Sequence, residues 1–433
     1  MGRRRIHAPL RVLLNNRLVG HLNKAPGGAI DFRYDQAWLD LRGPIPVSLS
    51  LPLREDAYRG EPVAAVFENL LPDSDKLRRL IAEKVGADGI DAYGLLTRIG
   101  RDCVGALQFS PADADDVRVN SAIAGQELGE AEIELLLKNL SRAPLGLGED
   151  DDFRISVAGA QEKTALLWHE GAWFKPHGTT PTTHIFKTQI GTLQNGIDLS
   201  NSVENEYYCL KLLAAFGLPV NTAEILTFRE TKALVIERFD RRLTKDGHLH
   251  RLPQEDLCQA LSCPPTRKYQ SEGGPGMVEV LDRLKASDTP DDDQKAFLKA
   301  QVLFWLMGAT DGHAKNFSVH LGPYGTFSLT PFYDVLTAQP SLDAGQIERK
   351  QMKLAMLAGT GRHYRMDEIQ GRHFVQTVER AGLPGALATG VLEDVVKSVD
   401  SAVESVVKQL PKGFPEAIHT SVVDGMKTRL RAI

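Results

Sequence analysis

The segment TDGHAKNFS at residues 310–318, followed by LTPFYDVL at residues 329–336, decides the fold more than any other part of the sequence. Asp311 and Asn316 have an Asp-x-x-x-x-Asn spacing, and Asp334 comes directly after two aromatic residues. Phosphoryl transfer requires a carboxylate that orients the acceptor hydroxyl and hard oxygen ligands for Mg²⁺. The spacing is the one that separates such an Asp and such an Asn in a kinase catalytic loop. The pattern predicts Asp311 as the catalytic base and Asn316 and Asp334 as metal ligands.

An isolated Asp-x-x-x-x-Asn spacing also has an ordinary explanation. Asp311 and Gly312 could form a turn that ends a helix, and Asn316 could be a polar loop residue. The preceding stretch KAFLKAQVLFWLMGATDG, at residues 295–312, is apolar around most of its circumference, which predicts a buried helix. A loop that leaves a buried helix and is soon followed by a second aspartate favours the functional interpretation.

The stretch ISVAGAQEKT at residues 155–164 is a second candidate site. Two predicted strands, FRISV and KTALLW, are joined by a short loop whose consecutive backbone N–H groups suit phosphate oxygens. An ordinary turn is the alternative, because the stretch lacks the glycine spacing of a P-loop. The predicted phosphate-binding residues are Ala158, Gly159, Ala160, Gln161 and Glu162.

Lys187 lies in the middle of HIFKTQI, a third predicted strand. A lysine buried in a strand requires a counter-charge, which nucleotide phosphates would supply. Glu206 on the following predicted helix is another candidate partner, in the manner of the kinase Lys–Glu pair, and Glu204 competes for that role. Because side chains alternate along a strand, Lys187 could also point outward.

The stretch VIERFDRR at residues 235–242 ends the series of predicted strands, where a kinase hinge would join two lobes. Backbone groups of Glu237 and Phe239 could contact adenine and Asp240 could contact the ribose, although a charged strand end is the simpler interpretation. His313, beside Asp311, suits a phosphate contact better than a metal. The predicted ATP contacts outside the phosphate loop are Lys187, Glu237, Arg238, Phe239, His313, Lys315, Asn316 and Tyr333.

Hydrophobic periodicity predicts an α+β protein. At 433 residues the chain is long enough for more than one core. LRVLLNNRLVGHL predicts a hairpin at Asn15–Asn16, PIPVSLSLPL an edge strand, and PVAAVFENL and DSDKLRRLIAEKVG helices, the second capped by Ser74 and ended by Gly86. GLLTRIGRDCVGALQF predicts a return to strand, with Gly105 as a close-packing point.

The elements suggest a two-lobed protein-kinase-like fold with an extra N-terminal α+β subdomain and a mostly helical C-terminal lobe. The expected boundaries are 1–145 for the N-terminal subdomain, 146–240 for the small lobe with the phosphate loop, and 241–433 for the helical lobe with the catalytic and metal loops. The first boundary falls where Pro, Gly and several acidic residues coincide, in SRAPLGLGEDDD at residues 141–152.

Composition excludes several classes of protein. The formal net charge of −5 argues against a protein that coats nucleic acid. The four cysteines are too few and too scattered for a disulfide framework, and Cys209 is expected on the apolar face of a helix. No apolar run approaches the roughly 20 residues of a membrane span. We expect a cytoplasmic protein without a membrane partner.

The sequence resembles the HipA family of toxin kinases over nearly its whole length. The blocks that carry the resemblance are FENLLPDS at 67–74, IGRDCVGAL at 99–107, DFRISVAGAQEKTALL at 152–167, PTTHIFK at 181–187, SVENEYYC at 202–209, ERFDRR at 237–242, RLPQEDLCQ at 251–259, GATDGHAKNFSV at 308–319 and LTPFYD at 329–334. The resemblance implies a serine/threonine-protein kinase that uses ATP and Mg²⁺. It also implies the roles given above for Asp311, Asn316, Asp334 and Lys187, and Ser156 as the autophosphorylated serine.

The resemblance further implies partners. The protein substrate would be glutamate–tRNA ligase, whose phosphorylation inhibits translation and promotes dormancy and persistence. A HipB-type helix-turn-helix antitoxin, expected as a dimer, would neutralise the kinase and bind operator DNA with it as a co-repressor.

Two alternatives belong to other functional classes. One is an enzyme of this fold that phosphorylates a small-molecule or lipid hydroxyl. The other is a catalytically silent co-repressor, against which the intact Asp311, Asn316 and Asp334 argue.

Overall fold

The computed structural model describes residues 7–112, 123–147, 155–158 and 161–433. They form two compact units. The first comprises Met1–Thr188, Leu226–Thr266 and Val319–Thr326, and the second comprises Gln189–Ile225, Arg267–Ser318 and Phe327–Ile433. The three-part division at residues 145 and 240 stays a prediction.

Strands and helices are both abundant, which confirms the α+β class. The described strands are β1 (Leu10–Leu14), β2 (Arg17–Lys24), β3 (Ile30–Tyr34), β4 (Tyr58–Arg59), β5 (Leu107–Pro111), β6 (Gly125–Leu128), β7 (Lys163–His169), β8 (Ala172–Pro176), β9 (His184–Thr188), β10 (Gly191–Thr192), β11 (Asp198–Leu199), β12 (Ala223–Phe228), β13 (Thr231–Glu237), β14 (Arg241–Leu243), β15 (Leu249–Arg251), β16 (Gln254–Asp256), β17 (Ser318–Leu321), β18 (Phe327–Leu329), β19 (Lys353–Ala358) and β20 (His363–Arg365). The described α-helices are α1 (Gln36–Leu39), α2 (Glu61–Glu68), α3 (Asp75–Val85), α4 (Ala92–Ile99), α5 (Glu130–Lys138), α6 (Ser202–Ala215), α7 (Leu257–Ala260), α8 (Met277–Leu284), α9 (Pro290–Met307), α10 (Gln339–Asp343), α11 (Gly371–Arg380), α12 (Gly385–Val407) and α13 (Glu416–Leu430).

The first sheet of the first unit has the antiparallel order β4-β3-β2-β1-β5. Its hairpin turns at Asn15 and Asn16, whose φ angles are 47° and 63°. A two-residue hairpin needs this left-handed conformation at both positions, and Asn is one of the few residues that adopt it at small cost. The predicted hairpin is confirmed.

Local capping explains where α3 begins and ends, and apolar burial explains α2. The Ser74 hydroxyl accepts a hydrogen bond from the Leu77 N–H, at 3.4 Å, at the start of α3, and Gly86 ends the helix in a left-handed conformation. Helix α2 places Val63, Val66 and Phe67 in the core under the first sheet, as the apolar pattern predicts.

Two predicted strands are wrong, and a third, at residues 94–109, is confirmed only at its end, where residues 107–109 belong to β5. Residues 44–53 contain only a single bridge, Ser48 to Leu51, because the prolines in this stretch lack the N–H donors that a ladder requires. Residues 94–99 belong to α4, where the Asp91 carboxylate caps the helix at Gly94; a short apolar run does not distinguish a helix from a strand. In FRISV, Ile155 forms one bridge and residues 156–158 form no strand, while residues 153–154 lie outside the described residues.

The second sheet has the order β12-β13-β9-β7-β8-β6. It confirms the strands predicted at KTALLW, THIFKTQI, AEILTF and ALVIERF. On one face Leu166, Phe186 and Val235 pack against Ile133 and Leu137 of α5, forming a core separate from that of the first sheet. Strand β9 lies between β13 and β7, so Lys187 is carried by a central strand.

Helix α9 forms the centre of the second unit. Phe297, Phe304 and Trp305 are fully buried in it, and the helix packs against α12 and α13. It ends at Gly308, in a left-handed conformation, just before the segment that carries Asp311. Cys209 is buried on α6, as predicted. No helix in the described part of the chain is long and apolar enough to cross a bilayer.

Gly105 is a point of close backbone approach within the first unit. Its φ is +76°, and a Cβ atom there would lie 2.7 Å from the Gln254 carbonyl oxygen. Its N–H donates to the Asp240 carboxylate at 2.6 Å. Only glycine satisfies both the conformation and the space, which confirms the predicted close-packing point.

Replacement of Gly105 by Ala should therefore lower the free energy of unfolding more than the conformation alone requires. Gly247→Ala is the matched control, because Gly247 has a φ of +79° and no atom within 4 Å of the added Cβ. In urea unfolding followed by circular dichroism, we expect Gly105→Ala to cost about 2 kcal/mol more than the control, through overpacking. If both variants lose the same free energy of unfolding, the close contact between the added Cβ and Gln254 is not destabilising, and the prediction is wrong.

Candidate active site

Residues 310–318 fold into a tight turn after α9. The His313 N–H donates to the Asp311 carbonyl oxygen at 2.9 Å, and the Asn316 N–H donates to the His313 carbonyl oxygen at 2.9 Å. A short 3₁₀ turn, Ala314–Asn316, follows. These bonds keep the predicted catalytic aspartate and the predicted metal-binding asparagine within one rigid loop.

The Asn316 side chain joins the two predicted loops. Its Nδ2 donates to the backbone oxygens of Asp311, at 2.8 Å, and Asp334, at 3.3 Å. Because carbonyl oxygens only accept hydrogen bonds, the atom beside them must be the amide nitrogen. The amide oxygen Oδ1 therefore points the opposite way, as a neutral hard ligand for a cation would. The structure brings Asp311, Asn316 and Asp334 together.

Asp334 adopts an unusual backbone conformation, with a φ of 58°. A non-glycine residue in this region is uncommon, although Asp tolerates it better than most residues. Such conformations persist where the surrounding contacts fix them, and they occur often at functional sites. Here the Asn316 amide holds the carbonyl of the same residue.

The residues around the 3₁₀ turn Ala314–Asn316 are buried. The Tyr333 hydroxyl lies 2.5 Å from the Ser318 hydroxyl and donates to the Lys315 carbonyl oxygen at 3.2 Å. The side chains of Lys315 and His313 are almost completely buried. Lys315, His313 and Tyr333 are thus placed beside Asn316, but their contact with ATP stays a prediction.

The Asp311 carboxylate is the exposed part of this loop, with 56% of the side chain accessible. Its Oδ1 accepts a hydrogen bond from the Tyr269 hydroxyl. The His313 Nε2 lies 3.8 Å from the same oxygen. Tyr269 was not found from the sequence, because it lies 42 positions before Asp311 with no motif that joins them.

The first unit contains the predicted phosphate loop. Of residues 158–162, Gly159 and Ala160 lie outside the described residues. The Lys163 ammonium donates to the Ala158 carbonyl oxygen at 2.5 Å, and the Gln161 amide donates to the Thr188 carbonyl oxygen at 2.9 Å. Both ends of the loop are therefore tied to the second sheet. Glu162 lies next to Lys163 at the start of β7.

Lys187 is 5% exposed, so its side chain does not point into solvent. Glu204 and Glu206, on α6 of the second unit, are also buried. Glu204 accepts a hydrogen bond from the Gln189 amide at 2.6 Å. The pairing of Lys187 with either glutamate stays a prediction.

Ser156 is completely buried. Its hydroxyl donates to the Leu70 carbonyl oxygen at 2.7 Å, and its N–H donates to the Asp102 carbonyl oxygen at 2.9 Å. A phosphoryl group on this oxygen requires the segment to leave its position, because the site has no room for solvent around the hydroxyl.

The predicted hinge contains a buried ionic cluster. Its members are Asp102, Asp240, Arg238, Arg241 and Arg251, all within the first unit and all at least nine-tenths buried. The Asp102 carboxylate accepts from Arg241 and Arg251 at 2.9 Å each. The Asp240 carboxylate accepts from Arg238, at 2.8 and 2.9 Å. We name these five residues the hinge cluster.

The hinge cluster changes the interpretation of the strand end after β13. Asp240 is buried among the cluster's arginines, which contradicts the hypothesis that it contacts the ribose. The Arg238 side chain also belongs to the cluster. The backbone N–H of Arg238 donates to the Thr183 carbonyl oxygen at 2.8 Å. Glu237 is exposed and Phe239 is half-buried, with its ring edge-on to His320. The adenine contacts of residues 237–239 stay a prediction.

Electrostatics within the hinge cluster favour ionised carboxylates. Burial alone would raise the pKa of Asp102, but Arg241, Arg251 and Arg238 outweigh it and hold the pKa well below the usual range. Burial and the neighbouring Arg238 lower the pKa of Arg241 to about 10. Three guanidiniums face two carboxylates, so removal of either carboxylate leaves buried positive charge.

The mixed fold and the turn that unites an Asp, an Asn and a second Asp define an enzyme of protein-kinase type. Residues 155–403 match the HipA-like C-terminal domain and residues 10–110 match the HipA N-terminal domain. The chain belongs to the HipA family, and it is a kinase.

Similar proteins agree with this assignment. The protein Y4mE of Sinorhizobium fredii is 35% identical over 359 residues, which are 81% of this chain and 83% of that protein. The serine/threonine-protein kinase toxin HipA of Shewanella oneidensis is 26% identical over 362 residues, covering 80% of this chain and 78% of that one. A solved structure of Shewanella oneidensis HipA with HipB and its operator DNA has the same fold, with a TM-score of 0.79 at 24% identity, covering 98% and 96% of the two chains.

Asp102→Asn should destabilise the protein strongly, because it leaves three buried guanidiniums with one carboxylate. We expect the free energy of unfolding in urea at pH 7 to fall by about 3 kcal/mol or more. Asp56→Asn, at an exposed carboxylate, should change it by less than about 0.5 kcal/mol.

The pH dependence gives this prediction a second test. The folded pKa of Asp102 lies below its unfolded value of about 4, so its contribution is complete above that pH and is lost as the pH falls. The loss of unfolding free energy caused by Asp102→Asn should therefore become smaller below about pH 4. A deficit that is small at pH 7 would contradict the account of the hinge cluster.

Proposed function

We propose that the chain is an ATP- and Mg²⁺-dependent serine/threonine-protein kinase toxin of a toxin–antitoxin module. The observation that carries the proposal is the Asn316 side chain, whose amide nitrogen binds the backbones of both Asp311 and Asp334. One side chain thus links the backbones of two aspartates. This supports the proposal, because phosphoryl transfer needs a hydroxyl-orienting carboxylate close to oxygen ligands for a metal.

Asp311 is proposed as the catalytic base. Its carboxylate is more than half exposed, so an acceptor hydroxyl can reach it. The carboxylate would accept the hydrogen bond of the serine hydroxyl, orient its oxygen and take its proton as that oxygen bonds to the γ-phosphorus. The bond between the γ-phosphorus and the β–γ bridging oxygen of ATP would break in the same transfer, and ADP would leave.

Asn316 and Asp334 are proposed to hold Mg²⁺. The donor set suits the ion, because Mg²⁺ prefers one or two carboxylates, neutral oxygens and phosphates over nitrogen or sulfur ligands. The Asn316 amide oxygen faces away from the two carbonyls that fix the amide nitrogen. When bound, Mg²⁺ would neutralise negative charge on the ATP phosphates.

The remaining predicted contacts are proposed to bind ATP. Lys187, buried on a central strand, is suited to the α- and β-phosphates. The proposed contacts are the loop residues Ala158, Gly159, Ala160, Gln161 and Glu162, the adenine-site residues Glu237, Arg238 and Phe239, and His313, Lys315 and Tyr333 near Asn316. For Arg238 we propose a contact with adenine through the backbone carbonyl oxygen only, since the side chain belongs to the hinge cluster.

Ser156 is proposed as the autophosphorylation site and as an off-switch. Because its hydroxyl is buried against Leu70, the segment has to open before transfer. Phosphoserine carries about −1.5 to −2 charges at neutral pH and does not fit the buried position. The modified segment would therefore stay displaced, and residues 158–162 with it, which would lower ATP affinity.

The proposed partners rest on the family alone. The relative from Shewanella oneidensis is named a toxin, and its solved structure contains HipB and operator DNA. By analogy we propose a HipB-type antitoxin dimer as the partner of this chain, with which it would co-repress an operon. Glutamate–tRNA ligase is the proposed acceptor, and its phosphorylation would inhibit translation and promote persistence.

Asp311→Asn should abolish phosphotransfer while leaving the fold intact. With γ-labelled ATP and purified glutamate–tRNA ligase, we expect transfer to the ligase and to Ser156 to fall at least about 100-fold. Asp400→Asn, at an exposed site on α12, should retain full activity. Retained transfer by folded Asp311→Asn would reject the catalytic assignment. Label on a lipid or small molecule, with none on any protein of a bacterial lysate, would reject the protein acceptor.

Asp334→Asn should weaken nucleotide binding only when magnesium is present. Asn tolerates the left-handed backbone at this position, so the substitution removes charge and preserves the turn. By calorimetry, we expect ATP affinity with Mg²⁺ to fall by about tenfold or more, and affinity in EDTA to stay the same. Equal ATP affinity of the unmodified protein with and without Mg²⁺ would contradict the metal role.

A further inference from the structure

A tyrosine from outside the catalytic loop contacts the proposed catalytic base. Tyr269 follows a short 3₁₀ turn, lies in the second unit, and its hydroxyl donates to Oδ1 of Asp311. Its ring stands edge-on to the His313 ring, with centroids 4.9 Å apart and an interplanar angle of 83°. The contact therefore involves both the carboxylate and the residue beside it.

The segment that carries Tyr269 is built to hold it in place. The N–H groups of Glu272 and Gly274 both donate to the Tyr269 carbonyl oxygen at 3.0 Å. A Cβ atom at Gly274 would lie 2.0 Å from the Arg267 carbonyl oxygen, so only glycine allows the chain to fold back here. Residues 267 and 274, on either side of Tyr269 in the chain, therefore lie in close contact and hold the tyrosine backbone in place.

A second attachment joins this loop to β19. The Gln270 side-chain oxygen accepts a hydrogen bond from the Leu357 N–H at 2.7 Å. Gly276 packs against the same side chain, since a Cβ there would lie 2.0 Å from the Gln270 Nε2. Tyr269 is consequently fixed through its neighbours, and its hydroxyl approaches Asp311 from an anchored loop.

The bond between the Tyr269 phenol and the Asp311 carboxylate has a geometric consequence. It limits rotation of the Asp311 side chain, which is otherwise more than half exposed to solvent. A catalytic base has to point its oxygen at the acceptor hydroxyl, so a fixed direction favours transfer.

We propose that Tyr269 is a positioning residue for phosphotransfer, which aims the Asp311 carboxylate at the acceptor hydroxyl. This proposal rests on the proposed role of Asp311 as the base. In this proposal Tyr269 acts through the Asp311 carboxylate, to which its hydroxyl donates.

The test is Tyr269→Phe, which removes one oxygen and keeps the ring against His313. In the labelled-ATP assay with glutamate–tRNA ligase, we expect kcat to fall by about tenfold, as for loss of a hydrogen bond to a charged group. The KM for ATP should stay the same. A fall in kcat with an unchanged KM separates a positioning role from a general loss of structure, which would change both.

Ser271→Ala is the matched control, because it removes one hydroxyl from an exposed position in the same turn. We expect it to leave kcat and KM unchanged. Thermal unfolding of both variants checks that the loop remains folded.

Several outcomes would overturn the positioning role. One is an unchanged kcat in folded Tyr269→Phe, and another is an equal loss in Ser271→Ala. A higher kcat in Tyr269→Phe would show that the tyrosine obstructs the acceptor. Asp311→Asn, assayed beside them, separates the two proposals: if it retains activity, Asp311 is not the base, whereas its inactivity with a normal Tyr269→Phe defeats only the inference about Tyr269.

Discussion

The buried carboxylate of Asp102 is the constraint on which most of the first unit depends. It accepts hydrogen bonds from two guanidiniums and from Thr182, while its backbone carbonyl holds the N–H of Ser156. A buried ion cluster of this kind adds little net stability compared with apolar packing, but losing one member is costly. Asp240 in the same cluster accepts a hydrogen bond from the Gly105 N–H, so the cluster joins the segment just before β5 to the strand end after β13.

In the second unit a neutral amide, that of Asn316, holds the proposed functional residues. Asn316 donates to two backbone carbonyls, so one side chain and one short turn bring Asp311 and Asp334 together. The two carboxylates and the amide oxygen take no part in these two bonds. Rigid support beneath reactive groups is what electrostatic catalysis of phosphoryl transfer requires. Tyr269 adds support to Asp311 from an anchored loop.

Local patterns in the sequence were sufficient for elements whose signal is also local. The Asn15–Asn16 hairpin, the Ser74 cap and the buried helix before Asp311 follow from two to eighteen adjacent residues. Residues 44–53 and 94–99 were predicted wrongly, because apolar runs do not show which hydrogen bonds are available. The contacts of Tyr269 with Asp311, and the burial of Asp240 among arginines, join distant parts of the chain, so no spacing revealed them.

The central claim is that Asp311, Asn316 and Asp334 form one phosphoryl-transfer centre. The most direct test is a crystal structure with a non-hydrolysable ATP analogue and Mn²⁺ in place of Mg²⁺, read by the anomalous signal of the metal. The account predicts a Mn²⁺ ion bound by the Asn316 Oδ1 and the Asp334 carboxylate and by phosphate oxygens, at about 2.0 to 2.3 Å. A nucleotide bound with its metal on other residues, or with the Asn316 amide turned away from both backbone carbonyls, would contradict it.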